Sequence, residues 1–145
     1  MVGRSSDGPA RSRAISIAAA LIFDADGRLL VVRKRGTSVF IQPGGKVEPG
    51  ETARDAVHRE VAEELGVAAT AAGTRALGRF RAPAANEPDH TVEAELFAVE
   101  LAGVPHPAAE IAELAWIDVH SPGDIALAPL TRDVVLALAR RREEI

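Results

Sequence analysis

"GGKVEPGETARDAVHREVAEELGV", Gly44 to Val67, decides the reading of this chain. It opens on a tight glycine-rich turn and runs into a segment carrying Glu60, Glu63 and Glu64 within five residues. The apolar spacing predicts a helix from about Ala53 to Leu65. Thr52 supplies an N-cap, with Asp55 three residues on, and Gly66 a C-terminal stop. At about 100° per residue, Ala53, Val57, Val61 and Leu65 form one stripe, successive members about 40° apart. Glu64 falls about 20° from Val57, inside the width of that stripe. Glu60 lies at its edge and Glu63 a little beyond. The carboxylates therefore border the core face instead of opposing it. A partly buried carboxylate needs a partner, and neighbouring like charges raise each other's pKa. A hard divalent cation answers both demands, because Mg²⁺ takes oxygen ligands and keeps several waters. Taken alone, "EVAEE" reads as a solvated helix face with intrahelical pairs such as Asp55 with Arg59. The preceding "PGGK", a turn that lets backbone approach a ligand, tips the balance toward a site. Glu51 and Arg59, bracketing the start and middle of the helix, do the same.

Outward from this stretch, residues 1–13 are rich in Ser, Gly, Arg and Pro and read as a mobile tail, with one domain over 14–145. "AISIAAALIF" and "RLLVVRKR" flank an Asp/Gly turn, which predicts a hairpin. "GTSVFIQPGG" reads as a loop holding a short strand. "RALGRFRA" and "HTVEAELFAVEL" read as strands joined by the turn-rich "PAANEPD". "LAWIDV" is a further short strand, in which Trp116 reads as core packing. "LTRDVVLALARRREEI" is an amphipathic helix with Val134, Val135, Leu136 and Leu138 available to its buried side. Strands with two well-separated helices suggest an α/β (α+β) chain, a mixed sheet covered by helices.

The chain has 145 residues, 47% apolar and 26% charged, enough for one packed core. Aromatics are only 3%, which argues against single-strand binding by base stacking. The net charge of -4 argues against an extended nucleic-acid groove. Cysteine is absent, which excludes disulfides, thiolate chemistry and cysteine zinc sites. His58, His90, His106 and His120 show no HxxxH pairing, which argues against zinc. "MVGRSSDGPARSR" has no apolar signal core, and no apolar run reaches the roughly 20 residues that span a bilayer. A soluble cytoplasmic protein is expected, a monomer or homodimer without a nucleic-acid polymer or membrane as partner.

From Gly45 the sequence reads Gly, five residues, Glu51, seven residues, Arg59-Glu60-Val61, any residue, Glu63-Glu64, any residue, Gly66-Val67. This meets every defined position of the Nudix box, and the chain resembles the Nudix hydrolase family. "RLLVVRKRG", "EIAELAWIDV" and the terminal helix extend the resemblance over most of the chain from about Ala14. The resemblance implies an α/β/α sandwich with a mixed sheet and Mg²⁺- or Mn²⁺-dependent hydrolysis of a nucleoside diphosphate linked to another group. By position it implies Glu60, Glu63 and Glu64 as metal ligands, with the Gly44 carbonyl a frequent addition. Glu51 and Arg59 would orient them through charge-assisted hydrogen bonds. Glu60 is a candidate general base. Glu113 resembles the later acid that often completes the metal site, and Glu110 competes with it. His58 falls at a permissive box position and reads as a surface residue. Arg33, Arg35 and Lys46 flank the box loop and are candidates to meet substrate phosphates. Lys34 reads almost equally as a solvated strand end.

The "GGKVEPGE" form of the box and the compact size resemble the MutT-like branch. That branch suggests a (d)NTP or oxidised (d)NTP cut to the monophosphate and pyrophosphate. Pro83 falls sixteen residues beyond Val67, where ADP-ribose hydrolases often carry proline, which makes ADP-ribose the runner-up. The surrounding "RAPAAN" departs from the usual Ser-Pro-Gly context. Phe40 stands in for the tryptophan common in that segment, which leaves base recognition undefined. A nucleotide-binding Nudix module without catalysis is the alternative of another class. Such modules typically lose a box acid, and here none is lost.

Overall fold

The computed structural model describes residues 13–142. In chain order the elements are β1 (Arg13–Leu21), β2 (Leu29–Lys34), β3 (Phe40–Ile41), β4 (Gly44–Lys46) and α1 (Ala53–Leu65). There follow β5 (Ala69–Pro83), β6 (His90–Leu101), β7 (Ile111–Ile117), a π-helical turn (Thr131–Val135) and α2 (Leu136–Arg140). The tail expected over residues 1–13 lies outside the described residues except Arg13, with which β1 begins. The last residues of the expected terminal helix, 143–145, lie outside them too.

The strands form two sheets. One is mixed, in the order β4-β1-β6-β5, with β1 and β6 parallel and the other pairs antiparallel. The other is antiparallel, in the order β3-β2-β7. The expected hairpin between β1 and β2 is therefore only a stub, a bridge between Phe23 and Leu29 closed by Asp24 and Arg28. The reason lies in burial. Ala18–Leu21 and Leu29–Val32 are buried on both faces of their strands. Such strands belong at a sheet centre with a neighbour on each side. Each finds two partners elsewhere, so the pair parts beyond the turn.

Alternation along these strands builds two apolar layers. Ala18, Ala20, Leu30 and Val32 pack with Val57, Val61 and Leu65 of α1. Ala19, Leu21, Leu29 and Val31 pack with Val135, Leu136 and Ala139 of the terminal helix. The two helices thus cover opposite faces, giving a single α/β domain. Val134 and Leu138 are partly buried against the second layer. The terminal helix is not uniformly α: Thr131–Val135 is π before the chain passes into α2. β5 is also longer than "RALGRFRA" suggests, because its Ala-, Thr- and Gly-rich start carries no alternation to read. No described helix is long and apolar enough to cross a membrane.

Candidate active site

The box helix begins where expected. Thr52 Oγ1 accepts the Asp55 N–H at 3.0 Å, and Gly66 ends the helix in the left-handed conformation, φ 70°. The caps fix the ends of α1, and burial of Val57, Val61 and Leu65 fixes its rotation and so the direction of its glutamates. Glu64 is the most buried of them, only 2% exposed. Its Oε1 accepts the Gly44 N–H at 3.1 Å, while its Oε2 has no partner among the described residues. Burial pushes its pKa up to about 8, with the Glu60 charge adding to the rise. The Gly44 N–H and the Lys34 charge act in the opposite direction without cancelling it.

Arg59 holds the neighbouring acids. Its Nε donates to Glu51 Oε2 at 2.7 Å and its Nη2 to Glu51 Oε1 at 2.9 Å. Its Nη1 donates to Glu60 Oε2 at 2.8 Å, and Nη2 also reaches the Lys46 carbonyl at 3.1 Å. This fork ties the Lys46–Glu51 loop to the middle of α1. It also holds the Glu51 carboxyl down at about 2, helped by the Glu48 N–H, and raises the Arg59 pKa in return. The two glycines of the turn are required by close approach. A Cβ on Gly45 would lie 2.5 Å from Glu60 Cδ, and one on Gly44 would lie 2.2 Å from the Ala18 carbonyl oxygen. Glu60 therefore rests against bare backbone.

Glu63 is 55% exposed, its Oε2 3.9 Å from Arg59 Nη1. Among the described residues no three acidic or imidazole groups converge into a finished cation cage. The donors nevertheless suit Mg²⁺, which keeps several waters and asks for few protein ligands. The unpartnered Glu64 Oε2, the adjacent Glu60 carboxylate and the bare backbone at Gly44–Gly45 supply hard oxygen donors and room for water.

A cleft of about 530 Å³ opens beside this cluster. Gly44, Gly45, Lys46 and Glu60 border one part of it, joined by Lys34 and Glu110. Ile15, Ile17, Val92 and Leu130 give it apolar walls, and Pro83 to Glu87 form a rim. Of the expected phosphate contacts, Lys46 lines this cleft. Arg33 and Arg35 are not among its lining residues. Arg33 is held by Glu113 Oε1 at 2.9 Å and the Thr37 carbonyl at 2.8 Å. Arg35 reaches the Ala109 carbonyl at 3.3 Å through both Nη atoms. Glu113 is absent from the lining as well, whereas Glu110 lines the cleft, 4.0 Å from Lys34 Nζ. The pairing of β2 with β7 shifts register between Arg33 and Lys34, and such bulges re-aim side chains.

His58 differs from the surface residue expected: it is partly buried, its Nε2 2.9 Å from Thr74 Oγ1. Trp116 packs, partly buried, on the layer beneath α1. It also borders a second cavity of about 910 Å³ that none of the candidate residues lines. Gln42 and Thr131, for which the sequence analysis gives no role, are two buried polar residues on the cleft. The signal was available in "FIQP", where a lone amide interrupts an apolar run.

The profile of the NUDIX domain matches residues 13–138. A Bacillus subtilis (strain 168) protein provisionally named 8-oxo-dGTP diphosphatase is 30% identical over 109 residues, 74% of this chain and 66% of that protein. The CTP pyrophosphohydrolase of Escherichia coli (strain K12) is 42% identical over 60 residues, 39% of this chain and 44% of that protein. The match thus spans less than two thirds of either relative. The solution structure of the E. coli ORF135 protein superposes with a TM-score of 0.71 at 26% identity, covering 93% of this chain and 95% of that one.

Proposed function

From the premise that this chain belongs to the Nudix hydrolase family, which the match over residues 13–138 shows, we propose that it is a Mg²⁺-dependent pyrophosphohydrolase. Its substrate is a nucleoside triphosphate, ordinary or oxidised, cut between the α and β phosphates to the monophosphate and pyrophosphate. The observation that carries this is the Glu64 carboxylate, buried behind Gly44 with one oxygen unpartnered and its pKa pushed up to about 8. The unpartnered oxygen, set beside the Glu60 carboxylate and the bare glycine backbone, offers the hard oxygen donors that a divalent cation takes.

Glu60, Glu63, Glu64 and the Gly44 carbonyl would hold the ion. When bound, it neutralises phosphate oxygens and makes a bound water acidic enough to attack. The chain's own residues set the geometry. Arg59 fixes the Glu60 carboxylate and, through Glu51 and the Lys46 carbonyl, the loop that carries the glycines. Lys46 and Lys34 bring positive charge to the cleft, which suits a chain of phosphates. The names of the B. subtilis and E. coli relatives, both nucleoside triphosphate hydrolases by description, support the same substrate class.

ADP-ribose is the second reading, favoured by Pro83 on the cleft rim. Incubation with a nucleotide panel, with and without Mg²⁺, followed by ion-exchange analysis of products, decides between them. Nucleoside monophosphate with pyrophosphate is the expected outcome. AMP with ribose 5-phosphate, and no action on any (d)NTP, would replace the substrate while leaving metal-dependent hydrolysis intact. No hydrolysis of any member would leave a nucleotide-binding module.

A further inference from the structure

Gln42 and Thr131 form a buried polar pair on a cleft that carries aliphatic walls beside charged and polar residues. Gln42 is 5% exposed and Thr131 fully buried, yet both line the cleft. Gln42 Nε2 donates to the Ala20 carbonyl at 2.9 Å, and its Oε1 accepts the Thr131 hydroxyl at 2.9 Å. The orientation of the amide is forced. The Ala20 carbonyl can only accept, so the nitrogen must face it, and the oxygen then faces the hydroxyl. A primary amide has two N–H groups and two acceptor lone pairs. One of each is used here, so the nitrogen and the oxygen each keep a second hydrogen-bonding capacity.

The local backbone points the same way. Thr131 opens the π-helical turn Thr131–Val135, a geometry that is rare and concentrates at functional sites. Gln42 directly precedes Pro43 and the Gly44–Gly45 turn, so the amide and the carboxylate cluster share one short segment. Among the described residues no aromatic side chain lines the cleft; Ile15, Ile17, Val92 and Leu130 provide apolar contact instead.

We propose that the Gln42–Thr131 pair is the base-reading element of the cleft. Gln42 presents its free N–H and carbonyl lone pair to a nucleobase edge that carries an acceptor beside a donor, while the aliphatic walls hold the ring. Thr131 acts as a positioning residue that locks the amide. The inference rests on the nucleotide reading of the same cleft and deepens it by naming what distinguishes the base.

Binding separates the two ideas, because it does not require turnover. Dissociation constants for AMP, GMP, CMP and UMP, and for inorganic pyrophosphate as a base-free probe, are measured by calorimetry in Mg²⁺ for the full chain, Gln42→Leu and Thr131→Val. The protein itself should rank the four bases. Gln42→Leu should lower the affinity for the preferred monophosphate, relative to pyrophosphate, by about tenfold or more, the scale of a lost two-point base contact. Thr131→Val keeps the shape of the side chain and frees the amide, so it should flatten the ranking with a smaller loss. A variant that merely fails to fold would weaken pyrophosphate equally, and Thr131→Val, the milder change, then carries the test. A ranking that survives both substitutions, or an unsubstituted protein that binds all four bases alike, overturns the proposal. Absence of hydrolysis alongside a ranking that collapses in the variants would count against the catalytic reading alone.

Discussion

Arg59 on α1 and Arg33 on β2 make the same kind of contact, a guanidinium Nε on a glutamate carboxylate at 2.7 and 2.9 Å. What surrounds them differs. Arg59 hydrogen-bonds two glutamates and a backbone carbonyl, and both of those glutamates are only 16% exposed. Arg33 grips one glutamate that is 52% exposed, plus one carbonyl. The first pair organises a loop and a helix around a buried, half-satisfied carboxylate. The second spans two neighbouring strands at directly paired positions. An arginine–glutamate pair therefore takes its meaning from what else it fixes, because an isolated exposed pair contributes little.

The largest effect is expected at Glu64, the group the Arg59 region surrounds. Glu64→Gln keeps the shape and removes the charge. It should lower Mg²⁺-dependent hydrolysis a hundredfold or more, roughly the loss expected when a metal site or its activated water is damaged. It should also raise the melting temperature of the metal-free protein at pH 8, because no buried carboxylate is left to ionise. Opposite signs in activity and stability identify a group kept for function. Near-normal turnover with unchanged metal dependence would move the site elsewhere.

Next in size is the fork itself. Arg59→Lys retains the charge but cannot hold Glu51 through two nitrogens and Glu60 through a third. Hydrolysis should fall about tenfold or more, the usual cost of loosening a residue that orients metal ligands. Steady-state kinetics against Mg²⁺ concentration should show a higher metal requirement. Equal effects of Arg59→Lys and Arg33→Lys would erase the distinction between the two regions.

The pH response of the fold tests the same contrast without turnover. Glu64 has a raised pKa in the folded state, so folding favours its protonated form. Its contribution is fully present below about pH 4.5 and is lost as pH rises toward about 8. Glu51 runs the other way. Its pKa is depressed to about 2, so its contribution is present above about pH 4.5 and is lost as pH falls toward 2. Thermal melts of the metal-free protein should therefore show a lower melting temperature at pH 8 than at pH 6. Mg²⁺ binds the ionised carboxylates, so it should raise the melting temperature more at pH 8 than at pH 5. A titration in which Mg²⁺ has no effect at any pH would count heavily against a shared cation site.

Much of the Arg59 region was legible in the sequence because it is local. The helix bounds, the Thr52 and Gly66 caps and the inward lean of Glu64 follow from spacing along one element. The β2–β7 region depends on partners about 80 positions away and on a register shift that no spacing announces. Arg33 and Lys34 are adjacent, so in a strand their side chains leave opposite faces, and which face meets the cleft depends on pairing. For the same reason Glu110 and Glu113 could not be ranked from sequence, and the β1–β2 hairpin was expected where two sheets begin. The Gln42–Thr131 contact joins residues 89 positions apart, beyond any local pattern.

The smallest expected effect belongs to the Arg33–Glu113 pair. Arg33 is 26% exposed and Glu113 52%, and neither lines the cleft. A double-mutant cycle of Arg33→Ala and Glu113→Ala should give a coupling energy of about 0.2–1 kcal/mol, the range for exposed pairs. Hydrolysis should stay within about twofold of the parent in Glu113→Ala, because the acid that borders the cleft is Glu110. The Arg33 substitution also frees the Thr37 carbonyl, so some loss of stability there should exceed the coupling term. The companion change, Glu110→Gln, removes the carboxylate 4.0 Å from Lys34 and alters the charge on that side of the cleft. It should shift the KM for nucleotide, whereas Glu113→Gln should not. A loss of turnover in Glu113→Gln as deep as that of Glu64→Gln would mean that β7 rearranges on binding to bring Glu113 into the site. The two arginine–glutamate pairs would then be parts of one machine.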